Sequence, residues 1–354
     1  MKKEDAGRCA RSWVSAYAEK TPGLLGAYIS GSYLTAPAGM EWPESSDVDI
    51  VLIFEKGAAP PKVGKLREQG ALLEPTCMDE EAFTSLGHVL STHYLAFALQ
   101  AGAILFDPTG RLKALHQQVK AQYAHRQWVE ARCESFYQQI ARSVSSYDPT
   151  ATALPQKVNG WAFTTAITCF PLLLANLENC TVRKRYTAAR CVLETYGLGG
   201  FYPRLLSLLV PEPLGRDRLS AHMAELEKTF ALACGASGPS SAYPFRRDIS
   251  PEGASVAIAG SWELLSTPHP EDAVFWMLAT FARCHIIFDM DCPALGQSRL
   301  PALWAFLNSL GIHQEEDFAP RLQAVANFIP QLRAIAASIT ASREQAAGRA
   351  SPAF

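Results

Sequence analysis

The chain has 354 residues, of which 48% are apolar, and carries a net charge of −2. That length and apolar content can bury a large core spread over two or three domains, which excludes a disordered or fibrous chain. The near-neutral balance lacks the basic footprint of a protein that grips a long nucleic acid, which argues against nucleic acid as a partner.

In chain order, residues 5–20 suit an amphipathic helix. Leu25 to Ser30 then reads as a buried strand, which Gly31-Ser32 breaks to open a helix around Tyr33 and Leu34. A helix start there would aim free backbone N–H groups at an anion. Glycine permits close approach and the Ser32 hydroxyl adds a donor, so Gly31 and Ser32 are candidates for cradling a triphosphate. Residues 35–46, rich in Pro, Gly and Ser, read as a loop, and its Trp42 suits surface packing better than stacking on a ligand ring.

Val48 to Phe54 is the next strand, with Asp47 and Asp49 at its start. Two carboxylates at i and i+2 on a strand share a face and can grip divalent cations between them. Ala71 to Met78 is a further strand candidate and carries Glu74, a third acid able to approach from a neighbouring strand. Asp79 reads as the N-cap of a helix with Glu80 and Glu81 in its first turn, a structural arrangement. Helices follow through Gly102, Ile104 to Phe106 returns to the sheet, and Asp107 to Gly110 turns out of it.

From Arg111 to about Tyr147 the pattern is helical. After a loop at Asp148 to Pro155, apolar helices continue to about Leu232. The Gly/Ser/Pro-rich run at 234–244 reads as a linker, with helix candidates beyond it at Glu271 to Phe288, Pro301 to Leu310 and Pro320 to Ile339. The expected organisation is therefore α+β: an N-terminal domain at 1–110 with a mixed sheet and flanking helices, then a largely α-helical C-terminal region. The latter divides into a helical domain at 111–233, the linker at 234–244, a second helical region at 245–340 and a flexible tail at 341–354.

Other polar groupings carry less. Asp289 and Asp291 form a second D-x-D without a glycine turn before it, and no histidines stand at metal-binding spacing. The nine cysteines include no C-x-x-C pair and read as thiols in a reducing compartment. Trp161 to Leu177, the longest uncharged stretch, is short for a membrane span of about 20 residues. With charges and no apolar core in the first residues, the expectation is a cytoplasmic protein with no membrane partner.

Gly31-Ser32, Asp47-x-Asp49 and Glu74 together resemble the polymerase-beta-type nucleotidyltransferase superfamily, and within it the kanamycin (aminoglycoside) nucleotidyltransferase-like branch. There the third carboxylate sits in a V-E-V-N-F-D-S-E-E pattern, which Leu73 to Glu81 (LEPTCMDEE) resembles in the placing of its acids. Thr92-His93, Tyr186-Thr187 and Val192-Leu193 add weaker echoes. The resemblance is strongest over residues 24–110 and fades after about residue 200. It implies a magnesium-dependent transferase that moves an NMP, with ATP the expected triphosphate, to a hydroxyl of a small aminoglycoside-like or other hydroxylated acceptor. On that basis Asp47 and Asp49 would hold two Mg²⁺ ions, Glu74 would help hold one of them or draw the acceptor's proton, and antibiotic resistance is a fitting role. The branch's glutamate base and phosphate-binding lysine fall at Gln138 and Arg142. Arginine can bind phosphate, making Arg142 a nucleotide-binding candidate, but glutamine cannot take a proton, which leaves Glu134 as an alternative base. A homodimer is a further expectation. Transfer to RNA or protein, or nucleotide binding without turnover, are the alternatives.

Overall fold

The computed structural model describes residues 1–350 apart from Lys62, Ala151 and Ser237, with backbone only at 239, 241, 349 and 350. Its elements are α1 (Lys3–Lys20), β1 (Leu24–Ser30), β2 (Val48–Phe54), β3 (Leu66–Glu68), β4 (Ala71–Asp79), α2 (Leu86–Ser91), α3 (His93–Ala101), β5 (Ile104–Phe106), α4 (Arg111–Gln122) and α5 (Arg126–Ser145). The helical remainder comprises α6 (Leu154–Ala166), α7 (Phe170–Ala175), α8 (Arg185–Thr195), α9 (Tyr202–Leu206), α10 (Arg216–Gly235), α11 (Gly260–Leu265), α12 (Val274–Asp291), α13 (Pro293–Ser309) and α14 (Phe318–Ala350). The protein is thus α+β, with a five-stranded mixed sheet in its N-terminal part and a helical C-terminal region. It divides into two units, the first holding Met1–Arg132, Leu177–Thr181 and Glu252–Val256, and the second the remainder.

In the first unit the strand order is β3-β4-β2-β1-β5. β1 runs antiparallel to β2 and β5, β4 parallel to β2, and β3 antiparallel to β4. Alternation along β2 explains its two-sided burial. Val48, Ile50, Leu52 and Phe54 face Ala6, Cys9, Ala10 and Val14 of α1, while Val51 and Ile53 face Val89, Leu95, Leu99 and Leu112 on α2 to α4. Asp47 and Asp49 have the parity of Val51, so they share the second face at the end of its apolar patch.

Several local expectations need correction. The segment after Gly31 is a single 3₁₀ turn, Gly31–Leu34, because Pro37 arrives one turn later and disfavours helical backbone before it. Asp79 ends β4 and its carboxylate accepts from the N–H of Gly57 (3.1 Å); Glu80–Phe83 is another 3₁₀ turn without a side-chain cap. Trp42 is buried, its ring 5.4 Å from that of Tyr33 and its Nε1 donating to the Ser46 carbonyl (3.1 Å), so it pins the 35–46 loop from within.

The second unit is built around α12, where every residue from Val274 to Phe288 is buried. It packs against α6, α10 and α13, and α14 packs against α6 and α7. Pro301 lies inside α13 instead of opening it, and α14 opens at Phe318, two residues before Pro320, and runs on through Pro330. Of the expected linker, Ser237 lies outside the described residues; of the expected tail, α14 continues to Ala350 and 351–354 lie outside them. Leu154–Ala175 and Pro270–Asp291, 22 residues each, are by length and composition apolar enough to cross a membrane. Their most apolar windows are 83% and 89% buried inside the protein, as core helices are.

Candidate functional site

The strand register brings the acids together. Ser30 pairs with Asp49 across β1 and β2, and Asp49 pairs with Glu74 across β2 and β4. Paired residues in adjacent strands point to the same face, so Asp49 and Glu74 project side by side, and Asp47 lies two residues before Asp49 on that face. Oxygens of Asp47, Asp49 and Glu74 all lie within 4.8 Å of one another, and all three residues are partly buried. A set of three hard oxygen donors at that spacing suits Mg²⁺ or Mn²⁺.

Gly31 completes the wall of this cluster. Its backbone sits at φ +68°, and a Cβ placed on it would stand 1.7 Å from Oδ2 of Asp49. The bend therefore lies directly against the carboxylate, an approach open only to glycine. Ser32 follows as the second residue of the 3₁₀ turn and is half-buried. One turn lacks the aligned dipole and the array of free N–H groups of a longer helix, so what is left of the expected helix start is a tight bend and one hydroxyl. The loop after it is tied to α1: the N–H of Lys3 donates to the Met40 carbonyl (3.0 Å), the N–H of Gly39 to Glu4 Oε1 (2.8 Å), and the Lys3 ammonium to the Ala36 carbonyl (2.5 Å).

A fourth residue that sequence reasoning missed lies in the cluster. The Lys65 ammonium donates to Asp47 Oδ2 and to Glu74 Oε2 in two close contacts. Its side chain is 6% exposed, against 14% for Asp47 and 15% for Glu74. Burial by itself would lower the lysine's pKa, but the charges of Asp47 and Glu74 and the hydrogen bonds to them outweigh it, so Lys65 is held protonated. Burial raises the Asp47 carboxyl above its ordinary range, opposed by Lys65 and reinforced by Glu74.

The signal for Lys65 was the Gln69-Gly70 pair. Both residues have positive φ, 48° and 87°, and join β3 to β4 as a two-residue hairpin. Glu68 pairs with Ala71 and Leu66 with Leu73, so the next step of that register sets Lys65 opposite Glu74.

Arg142 belongs to the second unit, exposed on α5, whereas the three acids belong to the first. Gln138 and Glu134 are in the same unit and hydrogen-bond to each other (3.3 Å). Arg333 donates to Glu134 (2.5 Å), and that hydrogen bond holds the Glu134 carboxyl below its usual range, which makes it a poor proton acceptor. Asp291, from the second D-x-D, accepts from the Ser240 N–H (2.8 Å) and hydroxyl as a structural cap. No protein-family model and no curated protein matches the chain.

Proposed function

We propose that this chain is a magnesium-dependent nucleotidyltransferase, its N-terminal part a nucleotidyltransferase domain, that moves an NMP from a nucleoside triphosphate to a hydroxyl of a small molecule and releases pyrophosphate. The observation that carries the reading is the convergence of Asp47, Asp49 and Glu74 within 4.8 Å, beside the bend at Gly31.

The residues present fit a divalent ion. The donors are hard oxygens, and the cluster already gathers positive charge, in the form of the Lys65 ammonium. Asp47 and Asp49 would hold the metal, and Glu74 would share in holding it or take the acceptor's proton. When bound, magnesium neutralises triphosphate charge and aligns the reacting oxygens for in-line displacement. Gly31 would let the phosphates come close to the carboxylate wall, with Ser32 offering a hydroxyl donor. The rigid sheet behind these groups would supply positioning, the main source of catalysis in phosphoryl and nucleotidyl transfer.

ATP is the proposed donor, and an aminoglycoside-like or other hydroxylated compound the proposed acceptor, in keeping with a net charge of −2. The nine cysteines are all free thiols, which supports a reducing, cytoplasmic setting.

The test is pyrophosphate release with Mg²⁺, each of the four triphosphates and a panel of hydroxylated acceptors, with products read by mass. Asp47→Asn and Asp49→Asn should each reduce release by about a hundredfold or more while the far-UV circular dichroism spectrum is kept. Unchanged release in Asp49→Asn, or none from the folded wild type with any pairing, would overturn the reading. Label transferred to RNA or to a protein would move the acceptor to a macromolecule and leave the chemistry standing.

A further inference from the structure

We infer that Lys65 takes the place of one of the two cations such a site would otherwise bind, so that the carboxylate cluster admits a single divalent ion beside a built-in ammonium. This rests on the nucleotidyltransferase reading above and replaces its two ions with one ion and one lysine.

Position is the first argument. Lys65 immediately precedes β3 and lies opposite Glu74 in the hairpin register, so the short β3-β4 turn delivers it to the cluster. Its ammonium bridges Asp47 to Glu74, standing between two of the three acids as a bridging cation would. An ammonium is a compact point charge, and so a closer substitute for a metal ion than a planar guanidinium would be. Its side chain is almost fully buried, so it belongs to the site's interior and not to a solvent-exposed surface ion pair.

Charge is the second argument. Three carboxylates and one ammonium leave two negative charges, which one divalent ion neutralises. In the nucleotide-free protein, two divalent ions would instead leave an excess of two positive charges among cations a few ångströms apart, which repel strongly in a partly buried setting. The divalent ion then falls to Asp47 and Asp49, on the side of the cluster walled by Gly31.

Counting Mn²⁺ ions tests this without reference to turnover. The full-length protein is titrated with Mn²⁺ alone, the stoichiometry read by calorimetry and the spin coupling by electron paramagnetic resonance. Wild type should bind one ion per chain with an uncoupled spectrum, and Lys65→Met should bind two with the spectrum of an exchange-coupled pair. Lys65→Gln serves as a second variant, with circular dichroism to check folding. Two ions on wild type would overturn the inference, as would a single ion on folded Lys65→Met and Lys65→Gln. Should neither variant fold, the wild-type count decides, one ion sustaining the inference and two overturning it. Failure of the transferase reading looks different, because it shows as no pyrophosphate release from the folded wild type, whereas a wild type that binds no Mn²⁺ would overturn the inference itself.

Discussion

A methyl group at position 31 would stand 1.7 Å from Oδ2 of Asp49, on a backbone already at φ +68°. Two separate costs follow for Gly31→Ala. The left-handed backbone disfavours any side chain by roughly 1–2 kcal/mol, and the overlap pushes the Asp49 carboxylate out of its place between Ser30 and Glu74. Gly57 also has a positive φ, +73°, but open space where its Cβ would go. Gly57→Ala should therefore show about the same backbone cost, 1 kcal/mol or so in urea unfolding, with Mn²⁺ binding intact. Gly31→Ala should lose at least as much stability and also lose Mn²⁺ affinity tenfold or more, read by calorimetry. Equal Mn²⁺ affinity in the two variants would show that Gly31 does not shape the cluster. At this scale the acids were legible from sequence, because i, i+2 spacing on a strand fixes a shared face. Lys65 was not, since a lysine in a polar loop shows its partners only once the register of the following hairpin is known.

Short elements were the hard ones to read, and β3 shows why. It has three residues, Leu66-Arg67-Glu68, two of them charged, on the edge of the sheet, where charge guards against further strand pairing. β2 and β1, apolar on both faces, announced themselves as strands, whereas the turn after Gly31 offered too few residues to distinguish one 3₁₀ turn from a helix. Helix ends in the first unit depend on a residue with no periodic signature. Arg132 is fully buried; it donates to the Leu90 carbonyl (2.8 Å) near the end of α2 and to the Tyr123 carbonyl (2.8 Å) that follows α4. Its guanidinium also lies 4.5 Å from the Tyr123 ring centre. Replacing it with methionine keeps much of the volume but leaves those carbonyls buried without this donor. The expected loss is about 2–4 kcal/mol by urea unfolding followed in the far ultraviolet. A loss under about 0.5 kcal/mol, the range of ordinary surface changes, would mean the helix ends hold without it.

Over the whole molecule, the sequence conveyed α+β character well because the apolar runs of the sheet and of α12 differ so clearly in length. It conveyed the helical packing less well, because α6 begins before the uncharged stretch and buries Lys157, whose ammonium pairs with Glu315 (2.5 Å). A helix buried on all sides, as α12 is, places unusual demands on the polar residues within it. His285 is 1% exposed there, with its Nε2 buried and without a hydrogen-bond partner among the described residues. Burial, helped by the charge of Arg299, lowers its pKa from 6.5 to about 4. The folded protein therefore keeps this imidazole neutral where an unfolded chain would protonate it. Between about pH 6.5 and about pH 4 the unfolded state binds more protons, so stability is full above that window and falls as pH drops through it. The size of the effect is on the order of 3 kcal/mol. His222, also lowered by burial, acts in the same direction. His285→Leu removes the larger contribution, so its unfolding midpoint should fall less steeply than that of wild type between pH 7 and pH 4. Parallel midpoint curves for the two proteins would show that acid sensitivity arises elsewhere, in the paired carboxylates.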